Sequence, residues 1–202
     1  MTTVADIQVH GMTRGAFIAR SVLAAGAVYG ASAAGALAHA KHGAFSGGDV
    51  GIVNFALTLE KIEADFYKQA LAVKTLRPEA RKLLESIAKN EDEHVKSLTQ
   101  SVTQLGGKPD PAPQTRFPAI TDEASVLRVA IQLEDAGVAA YNGAATQIQS
   151  ADLLQTAASI AQVEGRHAGA LRELAGEFPT LGAFDKVSSS EQADEAVHGV
   201  TA

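Results

Sequence analysis

Ser86-Ile87-Ala88-Lys89-Asn90-Glu91-Asp92-Glu93-His94-Val95-Lys96-Ser97-Leu98 and, later in the chain, Ser159-Ile160-Ala161-Gln162-Val163-Glu164-Gly165-Arg166-His167-Ala168-Gly169-Ala170-Leu171 are two versions of one phrase. Each sets Glu-x-x-His into an apolar helical repeat. Upstream of each lies a second matching pair, Ala56-Leu57-Thr58-Leu59-Glu60 with Tyr67 and Ala130-Ile131-Gln132-Leu133-Glu134 with Tyr141. The simplest reading is a duplicated helical hairpin.

Helical phase puts the charged residues of the phrase inside. At about 100° per residue, Leu84, Ile87, Glu91, His94, Val95, Leu98 and Val102 fall on one side, opposite Lys82, Glu85, Lys89, Asp92, Glu93 and Lys96. In the second copy Ala157, Ile160, Glu164, His167, Leu171 and Ala175 share a face, with Gln162, Arg166 and Glu173 turned away. In the first helix Asn54, Thr58, Lys61, Asp65 and Lys68 form a polar arc, leaving Glu60, Glu63 and Tyr67 on the apolar side. A buried carboxylate without a partner is costly, so these acids require metal, cations or protons. The plainer alternative is acids paired with histidines and shared protons. With 13 Glu and 6 His in 202 residues, about 0.4 Glu-x-x-His pairs arise by chance, so two copies at matched register carry weight that one would not.

Punctuation along the chain defines four helices. Asp49 can cap a helix to about Val73. Leu76-Arg77-Pro78 breaks it, and Pro78 suits the first turn of a helix to Leu105, stopped by Gly106-Gly107. Four prolines between Lys108 and Pro118 exclude regular structure there. Thr121 or Asp122 can cap a third helix to about Gln149, and a fourth runs from Asp152 to about Ala175, ending at Gly176. From Phe178 the chain is polar and small, and Ser188 to Ala202 reads as a frayed tail. Glu60 and the 91/94 pair are equidistant from the first break, as Glu134 and the 164/167 pair are from Ser150-Ala151, so both hairpins hold their acids level. If the hairpins face each other by a pseudo-twofold, helices two and three run parallel. A 28-residue helix is about 42 Å long, and the Gly106 to Ile120 connection can stretch to roughly 50 Å.

Composition narrows the function. The chain is 46% apolar and carries a net charge of −6 with no cysteine. That excludes disulfides, thiolate chemistry and iron–sulfur clusters, and an acidic chain without a basic stripe argues against nucleic acid as a partner. Residues 16 to 38 are rich in Ala, Gly, Val and Leu and end in Ala36-Leu37-Ala38, a signal-peptide pattern. Thr13-Arg14-Gly15-Ala16-Phe17-Ile18 resembles the twin-arginine export motif, with Gly15 in place of the second arginine. We therefore expect residues 1–38 to be a signal peptide or N-terminal helix, with export to the periplasm or cell envelope; an uncleaved chain would be cytoplasmic. The stretch is too rich in Ala and Gly, and interrupted by Arg20, for a stable membrane span.

On these residues the chain resembles the ferritin-like superfamily of di-iron and di-manganese carboxylate proteins, and more narrowly the bacterial ferritin-like domain proteins akin to desiccation-related proteins. The likeness covers Asp49 to Gly176. It implies an all-α four-helix bundle (49–176) with one long crossover between helices 2 and 3, followed by a partly disordered extension (177–202). It further implies two iron ions, or manganese, held terminally by Glu60 and Glu134 and bridged by Glu91 and Glu164, with His94 and His167. Rubrerythrins are similar in plan, with an additional Glu three residues after a terminal ligand. Glu63 stands in that relation to Glu60 and is a seventh candidate ligand, whereas Gly137 occupies the equivalent place in the other half. Tyr67 and Tyr141 are candidates to hydrogen-bond the ligands, and no catalytic residue beyond the ligands is expected. Arg166 matches the Glu-x-Arg-His variant of the family. The activity implied is an oxidoreductase reaction with oxygen or peroxide, ferroxidase or peroxide scavenging in stress protection. The alternatives are a non-enzymatic stress or structural bundle with a vestigial or purely structural metal site, and a manganese catalase-like activity; a homodimer is a candidate assembly. Asp92, Glu93, Asp135 and Arg166 read as a solvated face, and His10, His39, His42 and His198 as incidental.

Overall fold

A computed structural model describes residues 45–180 and 182–200 of the chain. The expected signal segment, residues 1–38, and His10, His39 and His42 lie outside the described residues. Among the described residues five helices follow in order: α1 (Gly48–Ala70), α2 (Pro78–Gln104), α3 (Glu123–Ala144), α4 (Ala151–Ala175) and α5 (Ser190–His198). None among the described residues is long and apolar enough to cross a membrane.

The first four helices form an all-α bundle in which α1 packs on α2 and α3, and α4 on α3 and α2. Side-chain pairs give the directions. Tyr67 bonds Glu134 while Tyr141 bonds Glu60, so α1 and α3 run antiparallel. Asn90 meets His167 while His94 meets Glu164, so α2 and α4 do too. Helices α2 and α3 are thus parallel, and their N-termini are tied together. Arg77 donates from its backbone N–H (2.8 Å) and its Nε (2.7 Å) to the Glu123 carboxylate. Arg77 itself is extended, as a residue before proline should be, and Pro78 opens α2 where a missing N–H costs nothing.

Asp49 acts at a distance. Instead of capping its own helix, which begins after Gly47 without a side-chain cap, its carboxylate accepts the backbone N–H groups of Gln149 and Ser150, both at 2.8 Å. Those amides open α4, where the helix dipole favours an anion. Ser150 adds its own cap to Leu153. The observed α1 and α3 also stop short of Val73 and Gln149. Asp122 caps α3 in a reciprocal box with Ser125.

The crossover lies along the polar arc of α1. Asn54 accepts from the Asp110 N–H (2.9 Å) and donates to the Lys108 carbonyl (3.1 Å), Lys61 reaches the Asp110 carbonyl, and Thr115 donates to Asp65. Phe117 then packs edge-on against Phe66, centroids 5.2 Å apart. The arc is polar because it carries a proline-rich segment whose backbone needs partners, not only because it meets water.

The tail differs from expectation. Residues 190–198 are helical, started by a capping box between Ser189 and Gln192, and Ala193 and Val197 are buried in a cluster with Phe45, Ile52, Ile62, Ala140 and Ala144. The Ser188 N–H donates to the Ala139 carbonyl (2.9 Å). A Cβ on Gly143 would lie 2.1 Å from the Ser188 carbonyl oxygen, so glycine on α3 is what admits the segment.

Two apolar clusters cap the bundle interior. One gathers Phe66, Tyr67, Leu84, Ile87, Val126, Ala130 and Leu171. The other gathers Val53, Leu57, Leu98, Val102, Tyr141, Leu153 and Ile160. By chain position, the acids and histidines of the repeat lie between them.

Candidate metal centre

Six residues singled out by the repeat converge at this level. Glu60 (α1), Glu91 and His94 (α2), Glu134 (α3), and Glu164 and His167 (α4) turn inward, and all four carboxylates have no exposed surface. The histidine side chains retain 11% and 7% exposure, which places them at the edge of the cluster.

The imidazole Nδ1 atoms are the two foci. His94 Nδ1 lies 3.0 Å from Glu60 Oε2, 3.1 Å from Glu91 Oε2 and 3.0 Å from Glu164 Oε1. His167 Nδ1 lies 3.0 Å from Glu91 Oε1, 3.2 Å from Glu134 Oε2 and 3.6 Å from Glu164 Oε2. One Nδ1 can supply at most one proton, yet three carboxylates crowd each. Glu91 Oε1 and both oxygens of Glu164 accordingly have no hydrogen-bond partner, although they are within contact of an imidazole. Their donor atoms fall into two sets, Glu60–Glu91–His94–Glu164 and Glu91–Glu134–Glu164–His167, each mutually within 4.8 Å. Glu91 and Glu164 belong to both sets. Oxygen and imidazole nitrogen are a donor mix that divalent transition metals accept, so this buried cluster could hold metal ions.

The outer oxygens of Glu60 and Glu134 are exchanged between hairpins. Tyr141 of the second hairpin donates to Glu60 Oε1, and Tyr67 of the first donates to Glu134 Oε1. Burial first, then the charge of the bonded carboxylate, pushes both phenols well above their usual pKa, so they remain donors.

Electrostatics divide the acids. Burial raises Glu60 to about 8, His94 pulling the other way and Glu164 and Glu91 adding to the rise. Glu134 is raised well above the ordinary value by burial, against the pull of His167. Glu164 goes the other way: burial opposes its ionisation, but the two imidazoles beside it bring it down to about 2. For the histidines burial favours the neutral ring, yet the facing carboxylates overcome it and push His94 up to about 12 and His167 to about 11. Without metal the cluster is a store of protons.

Glu63 stands apart. It belongs to neither four-donor set, is buried, and has an Oε2 with no hydrogen-bond partner. Burial, then Glu164 and Glu60, raise its pKa well above normal. A Cβ on Gly137 would sit 3.1 Å from Glu63 Oε1, so the unequal pair seen in the repeat is a steric fit. The glycine of one half makes room for the acid of the other.

The cluster communicates with solvent over the histidines. A cleft between α2 and α4 is lined by Asn90, Glu93, His94, Val163, Arg166 and His167. Asn90 Nδ2 is 2.9 Å from His167 Nε2. Sequence reading assigned Asn90 no role; its place directly before Glu91 was the available signal. Asp135 is not simply solvated, since it pairs with the buried Arg172; Glu93 does sit exposed, paired with Lys96 at 2.6 Å.

A family model described as a ferritin-like domain matches residues 48–177. Among solved structures, the chain is similar to a conserved hypothetical protein, rv2844, from Mycobacterium tuberculosis, at 18% identity and a TM-score of 0.58, over 65% of this chain and 93% of that one. At that identity the likeness concerns the fold. No curated protein matches the chain.

Proposed function

The chain belongs to the ferritin-like domain family, and from that premise we propose that it is a di-iron carboxylate protein reacting with oxygen or peroxide. The observation that carries the reading is the pair of four-donor sets sharing Glu91 and Glu164, with three of their oxygens lacking any hydrogen-bond partner. Glu91 and Glu164 would bridge two ions. Glu60 with His94 would complete one position and Glu134 with His167 the other, each imidazole through Nδ1. Two divalent ions balance four carboxylates, which removes the cost of burying them. A bound pair of ferrous ions supplies two electrons to a single oxidant.

The chain's own residues prepare that chemistry. Tyr67 and Tyr141 fix the outer oxygens of Glu134 and Glu60, so each carboxylate offers its remaining oxygen inward. The apolar clusters at either end exclude water along the bundle axis. Ions and a small oxidant would enter over the histidines, through the polar cleft between α2 and α4 that lies against the cluster. Glu63, with an unpartnered oxygen, is the group best placed to take up or give a proton beside the site.

The test is anaerobic loading with ferrous iron followed by a pulse of oxygen or peroxide. The wild type should take up about two ions per chain and consume oxidant in step with iron oxidation, and Glu91→Ala with Glu164→Ala should abolish both. Uptake without oxidant consumption would leave a structural metal site and overturn the enzymatic reading. Elemental analysis of natively isolated protein separates iron from manganese. We also propose export of the chain, on the pattern of residues 16 to 38; a mature N-terminus near His39 is the expected result of sequencing, and an intact Met1 or Thr2 would contradict it.

A further inference from the structure

The cleft over the histidines joins residues related by the internal repeat. The shift that carries Glu91 to Glu164 and His94 to His167 carries Glu93 to Arg166 and Asn90 to Val163, and all of the latter six line the same cleft. The duplication therefore places an amide on one side of the pseudo-twofold and an alkyl group on the other. Asn90, from α2, reaches His167 Nε2 on α4 at 2.9 Å. The position that symmetry sets beside His94 is Val163, and His94 Nε2 bonds no protein group among the described residues.

We infer that Asn90 is a positioning residue for one of the two metal positions, making the His167–Glu134 position the tighter and the His94–Glu60 position the exchangeable one. The inference rests on the metal-binding reading above. An imidazole that binds metal through Nδ1 carries its proton on Nε2, and that proton needs an acceptor. Asn90 supplies one by turning its amide so that Oδ1, instead of Nδ2, faces the ring; an amide serves either way with a half turn, and valine serves neither. Outer hydrogen bonds of this kind fix the ring's orientation and raise its basicity, and losing one costs about 10–100-fold in metal affinity. On the other side, the Nε2 proton of His94 is left to solvent in the cleft. His94 is also slightly the more exposed of the two.

The experiment is a cobalt(II) titration of the full chain against a chelator of known affinity. The wild type should show two classes of site separated by about 10–100-fold. Asn90→Val should weaken the tighter class until the two merge, and Val163→Asn should strengthen the weaker. The double exchange, Asn90→Val with Val163→Asn, should restore two classes, which a merely structural role for Asn90 would not do. A second measurement needs no substitution: of the two paramagnetically shifted histidine N–H signals of the cobalt form, one should exchange with water more slowly. Two classes that Asn90→Val leaves in place would overturn the inference while keeping the metal site. A single class in the wild type would do the same. No cobalt binding at all would overturn the inference together with the metal-binding reading.

Discussion

Filling the cluster with metal should expel protons, and the number follows from the side chains that hold them. The perturbation is addition of two divalent ions to the chelated protein at pH 7. The facing carboxylates push His94 up to about 12 and His167 to about 11, and burial raises Glu60 to about 8. At pH 7 these three are protonated without metal, and each must lose one proton to become a ligand; burial raises Glu134 as well, so three is the lower bound. Glu164, brought down to about 2, is already ionised and releases none. Loading should thus free at least about three protons per chain, and the overall binding constant should rise by at least about three decades per pH unit near neutrality. Calorimetry in buffers of different ionisation enthalpy reads the release directly, and chelator competition at three pH values reads the slope. Glu60→Gln should lower the release by about one. Release of one proton or fewer, or an affinity independent of pH between 6 and 8, would refute the assignment of these three groups as proton-holding ligands.

The same groups set the pH dependence of the metal-free fold. Glu60, whose pKa rises on folding, contributes stability that is complete below 4.5 and is lost as pH climbs through about 8. The histidines follow the same sign between 6.5 and about 11 to 12, while Glu164, lowered on folding, contributes above 4.5 and fails only toward pH 2. Chelated protein should therefore melt at lower temperature at pH 8 than at pH 5 in differential scanning calorimetry, and a higher melting point at pH 8 would be inconsistent with the protonated cluster. Asp49→Ala removes the acceptor of two backbone N–H groups at the start of α4 and should cost about 0.5–2 kcal/mol in urea unfolding; an unchanged midpoint would mean that water replaces it fully. Gly137→Ala puts a Cβ 3.1 Å from Glu63 Oε1, a crowding penalty that should cancel the roughly 1 kcal/mol which alanine gains over glycine inside a helix. Adding Glu63→Ala should remove that penalty, and a penalty that persists would show that the acid does not occupy the glycine's space.

The bundle and its inner acids were legible because their signals are local. A Glu and a His three residues apart on an apolar stripe can face only inward, and the second copy at equal distance from its turn fixed the common level. Parallel α2 and α3 followed from the same symmetry, and the Arg77–Glu123 tie is the physical form it takes. What escaped reading depends on partners far away in sequence. Asp49 before an apolar run looks like the cap of its own helix, and nothing nearby points to amides at Gln149 and Ser150. The polar arc of α1 looks solvated until the crossover is laid along it. The segment after Ser188 is small and polar, and its helix docks where Gly143 on α3 leaves room for the Ser188 carbonyl. Asn90 is an ordinary helix residue by pattern, and it gains meaning only when α4 brings His167 against it.

Anomalous diffraction from iron-loaded crystals would locate the ions themselves. Two iron peaks are expected between Glu91 and Glu164, one also within ligand reach of Glu60 and His94, the other of Glu134 and His167. Carboxylates and imidazoles closed on one another with no iron between them, or iron found only on the surface, would contradict that expectation.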